Sequence, residues 1–585
     1  MSVFRLPLLD WGRRYSRENL SGDLIAALVV TVMLIPQGMA YAMLAGLPPQ
    51  AGLYGAILPL LIYAALGSSS ALAVGPVAVV ALMTAATAGS IAEIGTPGYQ
   101  LAALWIALIS GAMMLLMGLL RLGFVANFLS HPVISGFITA AGILIAASQI
   151  RHLLGIQTSG KTLPEVIPSI LANIGGLHWP TVVMSALGLV FLIWSRKGLA
   201  PALRKLGLKA AAAALLARGG LFVAVLASTL AVWLLGLDAR GLQIVGDIPR
   251  GLPALAVPAF DADLITYLLL PSALIALVGY VESISIAQTL AAKRRQSISP
   301  DRELIALGAA NLGAGLTQAM PVTGGLSRSI VNFDAGAQTP AAGAFTALMI
   351  GAALLALTPL LYYLPNATLA AIIIVAVLSL LDFRALPRAW AYSKADGAAM
   401  AVTMVVTLVL GVEQGLAAGV GLSLVMHLYR TSRPHVAEVG QVPGTGHFRN
   451  IHRYEVVTTP EIVTLRVDES LYFPNARYLE DLVQEKIASN PQLRHLVLMF
   501  SAVNAVDASA LESLEMIQAK LRDAGVSLHL SEVKGPVMDR LRRSDFPDHL
   551  AGLYLTQLDA MQALAPELTL ATLNAPRHER RKQGA

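Results

Sequence analysis

Between Asp23 and Arg121 the chain carries a single charged residue, Glu93, and between Asp334 and Asp382 it carries none. A helix in water needs a polar face, so stretches of this kind do not fold as the surface of a soluble protein. Each window has room for more than one apolar run of about 20 residues, the length that crosses a bilayer. The composition agrees: of 585 residues, 56% are hydrophobic and 13% charged, which is too apolar for a soluble chain of this size. The chain is read as a polytopic helical membrane protein. It contains no cysteine, which excludes disulfides, thiolate metal sites and thiol catalysis. The first residues do not lead into a short apolar region with a cleavage site, so no cleavable signal peptide is expected.

Apolar segments fall at 24–44, 50–67, 76–90, 101–120, 130–150, 178–196, 217–236, 262–286, 303–318, 324–338, 342–357, 365–381, 398–412 and 415–430. That makes about 14 segments, some of them too short to span a bilayer as straight helices. With a cytoplasmic N-terminus, one set of loops holds Arg121, the run from Arg196 to Arg218, Lys293 to Arg302, Arg384 to Lys394, and Arg430 with Arg433. The opposite loops hold Arg151, Lys161, Arg240 and Arg250. The bias places the first set and the C-terminal region in the cytoplasm. It also accounts for the net charge of +6 without a nucleic-acid partner.

Pro321–Ile330 (PVTGGLSRSI) puts one arginine, Arg328, into a region with no other charge from Leu304 to Phe333. The proline and the two glycines stop one backbone segment and let a new helix begin. The first amides of such a helix lack internal partners and carry the positive end of its dipole. With Arg328 in the first turn they form an anion trap at membrane depth. The competing reading is an arginine snorkelling from a helix end. The third segment repeats this grammar at Ala73–Ala78 (AVGPVA), seven segments earlier, which suggests paired half-helices at a transporter midplane.

Two other intramembrane polar groups stand out. Gln37 and Tyr41 are four residues apart in the first segment and share a helix face, as substrate ligands or as glue between helices. Glu282 in the eighth segment has no charged residue nearer than Asp263 and Lys293. A carboxylate at that depth is expected to take up a proton or to pair with a cation. A coupling site is favoured over a purely structural pair with Arg328. Gly411, Gly415 and Gly419 are read as close helix packing alone.

After Arg433 the composition changes. Residues 434–459 are expected to be a linker or a first strand. Strands at 461–468, 495–503 and 527–533 then alternate with helices at 475–489, 508–522 and 536–543, a small soluble α/β domain. The basic tail from 576 is expected to be disordered.

Together Pro36–Tyr41, the Ala45–Tyr54 turn, Gly75–Pro76 and Gly324–Asn332 resemble the sulfate permease family, relatives of the animal anion exchangers, over nearly the whole chain. The resemblance implies two inverted repeats of seven segments, a core domain moving against a gate domain, and a C-terminal STAS domain. It implies an anion held at Gln37, Tyr41, Val77, Ala78, Leu326, Ser327 and Arg328, and cation coupling at Glu282. Phe500–Ser509 resembles the loop of anti-sigma-factor antagonists whose serine is phosphorylated, which puts a regulatory role at Ser509. Ala508 and Ala510 depart from that pattern and favour a plain helix start. The expected domains are an N-terminus (1–23), a transporter domain (24–430), a linker (431–458), a STAS domain (459–572) and a tail (573–585). The function expected is proton-coupled import of a small inorganic anion, sulfate first, by a homodimer in the cell membrane. Dicarboxylate or bicarbonate transport is the alternative, and a membrane-tethered anion sensor is the reading from another class. No catalytic constellation, cofactor or metal is expected.

Overall fold

The computed structural model describes residues 7–577 except 129, 208, 210–212, 214–216, 218, 250, 357 and 379. Arg218, Arg250 and the tail from 578 lie outside it. The chain forms two compact units that divide between Ser423 and Leu424.

In the first unit a helix follows each expected segment: α1 (Arg17–Leu44), α2 (Pro49–Leu66), α3 (Ala78–Ala88), α4 (Pro97–Leu119), α5 (His131–Leu154), α6 (Trp179–Lys205) and α7 (Gly220–Leu235). The second series is α8 (Ala262–Lys293), α9 (Pro300–Leu316), α10 (Leu326–Asp334), α11 (Ala341–Ala356), α12 (Asn366–Leu378), α13 (Lys394–Leu410) and α14 (Val412–Ser432), the last running on across the division. Among the described residues α1, α2, α4, α5, α6 and α8 are long and apolar enough to cross a membrane. α1 begins inside the stretch expected as a separate N-terminus. Ser16 caps it by accepting from the Asn19 N–H at 3.2 Å. Asp23, fully buried, accepts from the Gln338 and Thr339 amides and the Thr339 hydroxyl at 2.6–3.0 Å.

α3 and α10 have 11 and 9 residues, about 16 and 13 Å of helix against a hydrocarbon core of ~30 Å. Each is entered through a two-residue strand, β1 (Val74–Gly75) and β2 (Thr323–Gly324). The strands pair antiparallel, Val74 with Gly324 and Gly75 with Thr323. Gly75 has φ +152°, a backbone geometry that side-chain-bearing residues rarely adopt. Pro76 follows and has no N–H to extend the ladder.

The helices pack as two groups. α4 lies along α9 and α8, α2 on α9, and α11 on α1 and α2, while α13 and α12 pack on α5, and α12 and α7 on α6. Between the groups α12 and α7 lean on α1, and α5 on α3. Glycines set the closest crossings, which lets backbones meet where lipid offers no hydrophobic drive. A Cβ on Gly308 would stand 2.5 Å from the Leu115 amide, and one on Gly111 2.7 Å from that of Leu312. Gly415 and Gly419 press against Thr407 and Thr403 of α13, as their spacing predicts.

In the second unit β3 (Val436–Gln441), β4 (Phe448–Asn450), β5 (Ile462–Val467), β6 (His495–Met499), β7 (Ser527–Ser531) and β8 (Gly552–Tyr554) form one sheet in the order β4-β3-β5-β6-β7-β8. β5 to β8 are parallel, and β3 is antiparallel to both neighbours. The helices are α15 (Ala476–Ser489), α16 (Ala508–Asp523), α17 (Gly535–Leu541), α18 (Gln557–Leu564) and α19 (Pro566–Asn574). Leu465, Leu498 and Leu530 pack with Leu479, Leu514 and Ile517 of α15 and α16, and Val439, Val497 and Met499 pack with Ala560 and Met561 of α18. Two boundaries are sharpened here. Of the two readings of the stretch before β5, linker or first strand, the strand is the one found: 431–458 holds β3 and β4, whose backbones extend the sheet beside β5. The tail expected from 573 begins inside α19, and the Gly444 amide donates to the Thr572 carbonyl at 2.8 Å.

Candidate functional site

The β1–β2 crossing brings the first turns of α3 and α10 together. Neither helix has a side-chain cap at its N-terminus: the capping residues are Val77 and Gly325. Their first amides therefore keep no partner from the helix itself, and the positive ends of both dipoles meet.

Arg328 fills this junction and is 2% exposed. Its Nε donates to the Ala73 carbonyl at 3.3 Å and its Nη1 to the Pro76 carbonyl at 3.1 Å. The arginine of α10 thus grips the backbone that leads into α3. Its Nη2 is buried and has no hydrogen-bond partner among the described residues. A buried guanidinium N–H without a partner is costly, so an acceptor is owed to this position. Gly75 and Gly325 make room for it, since a Cβ on either would come within 3.3 and 3.0 Å of Nη2. Two further polar groups of α10 hold the same backbone. Ser329 Oγ accepts from the Ala73 amide at 2.9 Å, and Asn332 donates to the Ala71 carbonyl at 3.1 Å.

Neighbouring helices fix β2. Asn311 of α9 donates to the Val322 carbonyl at 2.9 Å and accepts from the Val322 amide at 2.8 Å. Ser283 of α8 accepts from the Gly324 amide at 2.9 Å and lies 2.6 Å from the Thr323 hydroxyl. Glu282, next to Ser283 and partly exposed, shares an electrostatic environment with Arg328 and Tyr41. Among the described residues no ion pair joins Glu282 to Arg328.

Tyr41 (7% exposed), Gln37 (4%), Val77 (8%) and Ala78 (2%) are buried, and Leu326, the first residue of α10, is 42% exposed. Gln37 and Ser327 line one cavity of about 530 Å³, whose other wall comes from α6, α7 and α12. Six of the seven expected ligands thus fall into two places: Arg328 with Val77, Ala78 and Leu326 at the junction, and Gln37 with Ser327 at the cavity between the helix groups. At the opposite end of α3, Thr87 donates to Glu413 of α14, and Lys161 donates to the Gly89 carbonyl at 2.8 Å.

Ser509 is exposed at the second position of α16, and Asp507 caps that helix by accepting from the Ala510 amide at 2.8 Å. Among the described residues no group of three His, Cys, Asp or Glu side chains is placed to hold a metal.

Sequence reasoning missed Ser329, Asn332, Ser283 and Arg196 as parts of this region. Ser329 and Asn332 carried a signal, being polar residues one and four positions after Arg328 on a short helix. The carbonyls that Arg328 grips belong to an alanine and a proline, and no side chain announces them.

Fold and site define a multi-pass membrane protein built on two discontinuous helices that meet around a buried guanidinium, followed by an α/β domain. A sequence model of the sulfate permease family matches residues 20–403, and one of the STAS domain matches 453–560. The chain belongs to the sulfate permease family. It is 38% identical over 552 residues to the chloroplastic sulfate transporter 4.1 of Arabidopsis thaliana, covering 92% of this chain and 79% of that one. It is 32% identical over 581 residues to the high affinity sulfate transporter 2 of Stylosanthes hamata, covering 96% and 86%. The fold matches the solved structure of SLC26A9 with a TM-score of 0.86 at 23% identity, over 96% of this chain and 93% of that one. It matches the transmembrane domain of a cyanobacterial bicarbonate transporter, BicA, with a TM-score of 0.60 at 21% identity, over 70% and 99%.

Proposed function

We propose that the chain imports a small inorganic anion, sulfate first, coupled to protons, by an elevator-like motion of the α1–α4 and α8–α11 group against α5–α7 and α12–α14. The observation that carries this reading is the unpartnered Nη2 of Arg328 between two uncapped helix N-termini. Arginine, amides and dipole ends all ask for negative charge and oxygen acceptors. The relatives named as sulfate transporters support sulfate. The split of the helices into two packed groups, with the cavity of Gln37 and Ser327 between them, supports a sliding interface. The Lys/Arg bias supports a cytoplasmic second unit.

Energetics ask for coupling. Bringing a dianion in against a 100 mV interior-negative potential costs about 4.6 kcal/mol, twice the ~2.3 per charge. A uniporter would expel sulfate. Glu282, near Arg328 but not paired with it, is the proton carrier in this reading, and an arriving dianion makes a proton beside it more favourable. The test is uptake of labelled sulfate into liposomes with and without an inward proton gradient. Wild type should be accelerated by the gradient. Glu282→Gln should keep sulfate binding and sulfate–sulfate exchange but lose the acceleration. A glutamine variant driven as well as wild type would remove Glu282 from coupling.

A further inference from the structure

The cavity beside Ser327 has a charge of its own. Among the described residues lining it, the charged one is Arg196, which extends from α6 in the other helix group. Gln37 and Ser327 supply polar groups from α1 and α10, and Leu192, Leu221 and Ile372 supply apolar wall. Among the described residues no carboxylate forms an ion pair with Arg196. Its guanidinium donates to the Val375 carbonyl near the end of α12. A guanidinium has five N–H groups, so bracing that helix end employs a fraction of its capacity. Bracing also gives no reason for a cation to line the same space as Ser327 and Gln37.

We propose that Arg196 forms a second anion site, on the wall opposite α10, that takes the oxyanion as it leaves or approaches the Arg328 junction from one face of the membrane. The proposal rests on the anion-transport reading above. It adds that the two arginines belong to different helix groups. A motion of one group against the other then changes the distance between them, and Arg196 serves substrate from its own face alone. By the charge bias that face is the cytoplasmic one. A hydrated dianion fits a cavity with one cation, three polar side chains (Gln37, Ser195 and Ser327) and no acid among its described lining residues.

The test uses the full chain in right-side-out and inverted membrane vesicles, with labelled sulfate presented to one face at a time. Arg196→Gln should raise KM about tenfold on the face presented by inverted vesicles and less than twofold on the other. Arg196→Lys should recover most of the loss. Ala200→Glu is the second variant, since Ala200 lines the cavity one helical turn after Arg196, where a carboxylate can pair with it. It leaves the Val375 contact in place and should raise KM several-fold on the same face, so it decides the matter if the glutamine variant does not fold. Unchanged KM in Ala200→Glu, or equal changes on both faces, would overturn the proposal. So would lowered thermal stability with unchanged KM in Arg196→Gln, the mark of a helix brace. Wild-type exchange with both variants unaffected counts against Arg196 alone, whereas no exchange of any small oxyanion by wild type defeats the transport reading with it.

Discussion

α3 and α10 use one backbone device and divide the chemistry unequally. Both start from a two-residue strand beside glycine, both lack a side-chain cap, and their strands pair with each other. From α10 come Arg328, Ser329 and Asn332, each bonded to the backbone between Ala71 and Pro76 that leads into α3. From the start of α3 come Val77, Ala78 and Val79, which are apolar. α10 thus supplies charge and clamps, while α3 supplies carbonyls for the clamps and bare amides for a ligand. The inequality shows that the repeat is a scaffold: the antiparallel crossing fixes where two helix ends meet, and single side chains then make one half the reader of charge.

The largest break in that division is Arg328→Ala. It removes the cation, leaves the Pro76 carbonyl without its donor and leaves the Ala73 carbonyl with the Gly325 amide alone. Sulfate affinity should fall at least tenfold, about 1.4 kcal/mol, by calorimetry on folded protein. Unchanged affinity would take Arg328 out of the site. Next are the glycines that face its guanidinium. Gly75→Ala combines a Cβ 3.3 Å from Nη2 with a φ of +152°, and such backbone strain costs about 1–3 kcal/mol. Gly325→Ala brings its Cβ to 3.0 Å without that backbone demand. Both should weaken binding several-fold, and Gly75→Ala should also lower the melting temperature more. The reverse order would mean that contact with the arginine, not the backbone of α3, governs the site. Smaller still is Ser329→Ala, which strands the buried Ala73 amide at about 1–3 kcal/mol of stability while changing affinity less than twofold. A loss of affinity as large as that of Arg328→Ala would make Ser329 a ligand.

The sequence carried the outline of this arrangement but not its wiring. Arg328 was legible because a lone charge in an apolar region has few innocent explanations, and the half-helices because glycine and proline interrupt both segments at matching places. Their partners were not legible, since Ala71, Ala73 and Pro76 act through backbone carbonyls and the Ala73 amide, groups that no side chain announces. Arg196 read as one of many basic residues at a helix end. Its place in the cavity depends on how α6 packs against α12, which periodicity does not encode. In the second unit β5, β6 and β7 were visible as alternating runs between amphipathic helices. The polar, glycine-containing stretch before β5 was legible only as a linker or a first strand, and β4 was missed because a three-residue strand at the sheet edge needs few apolar residues.

The finest test gives α3 a polar group of its own. Val77 is the capping residue of α3, extended at φ −135° and ψ 146°, with no side-chain hydrogen bond to the helix. Threonine has nearly the same shape and tolerates that backbone. Its hydroxyl can accept from an amide two or three residues on, the usual capping bond, typically about 1 kcal/mol. Val77→Thr should therefore stabilise α3 and compete with the anion for the amides that α3 leaves bare. If those amides bind substrate, affinity should fall by roughly fivefold, the equivalent of the cap's stabilisation, while the melting temperature rises. If the anion is held by α10 alone, the melting temperature should rise with affinity unchanged. That second result would end the claim that α3 contributes amides, and would leave it as a frame for the arginine.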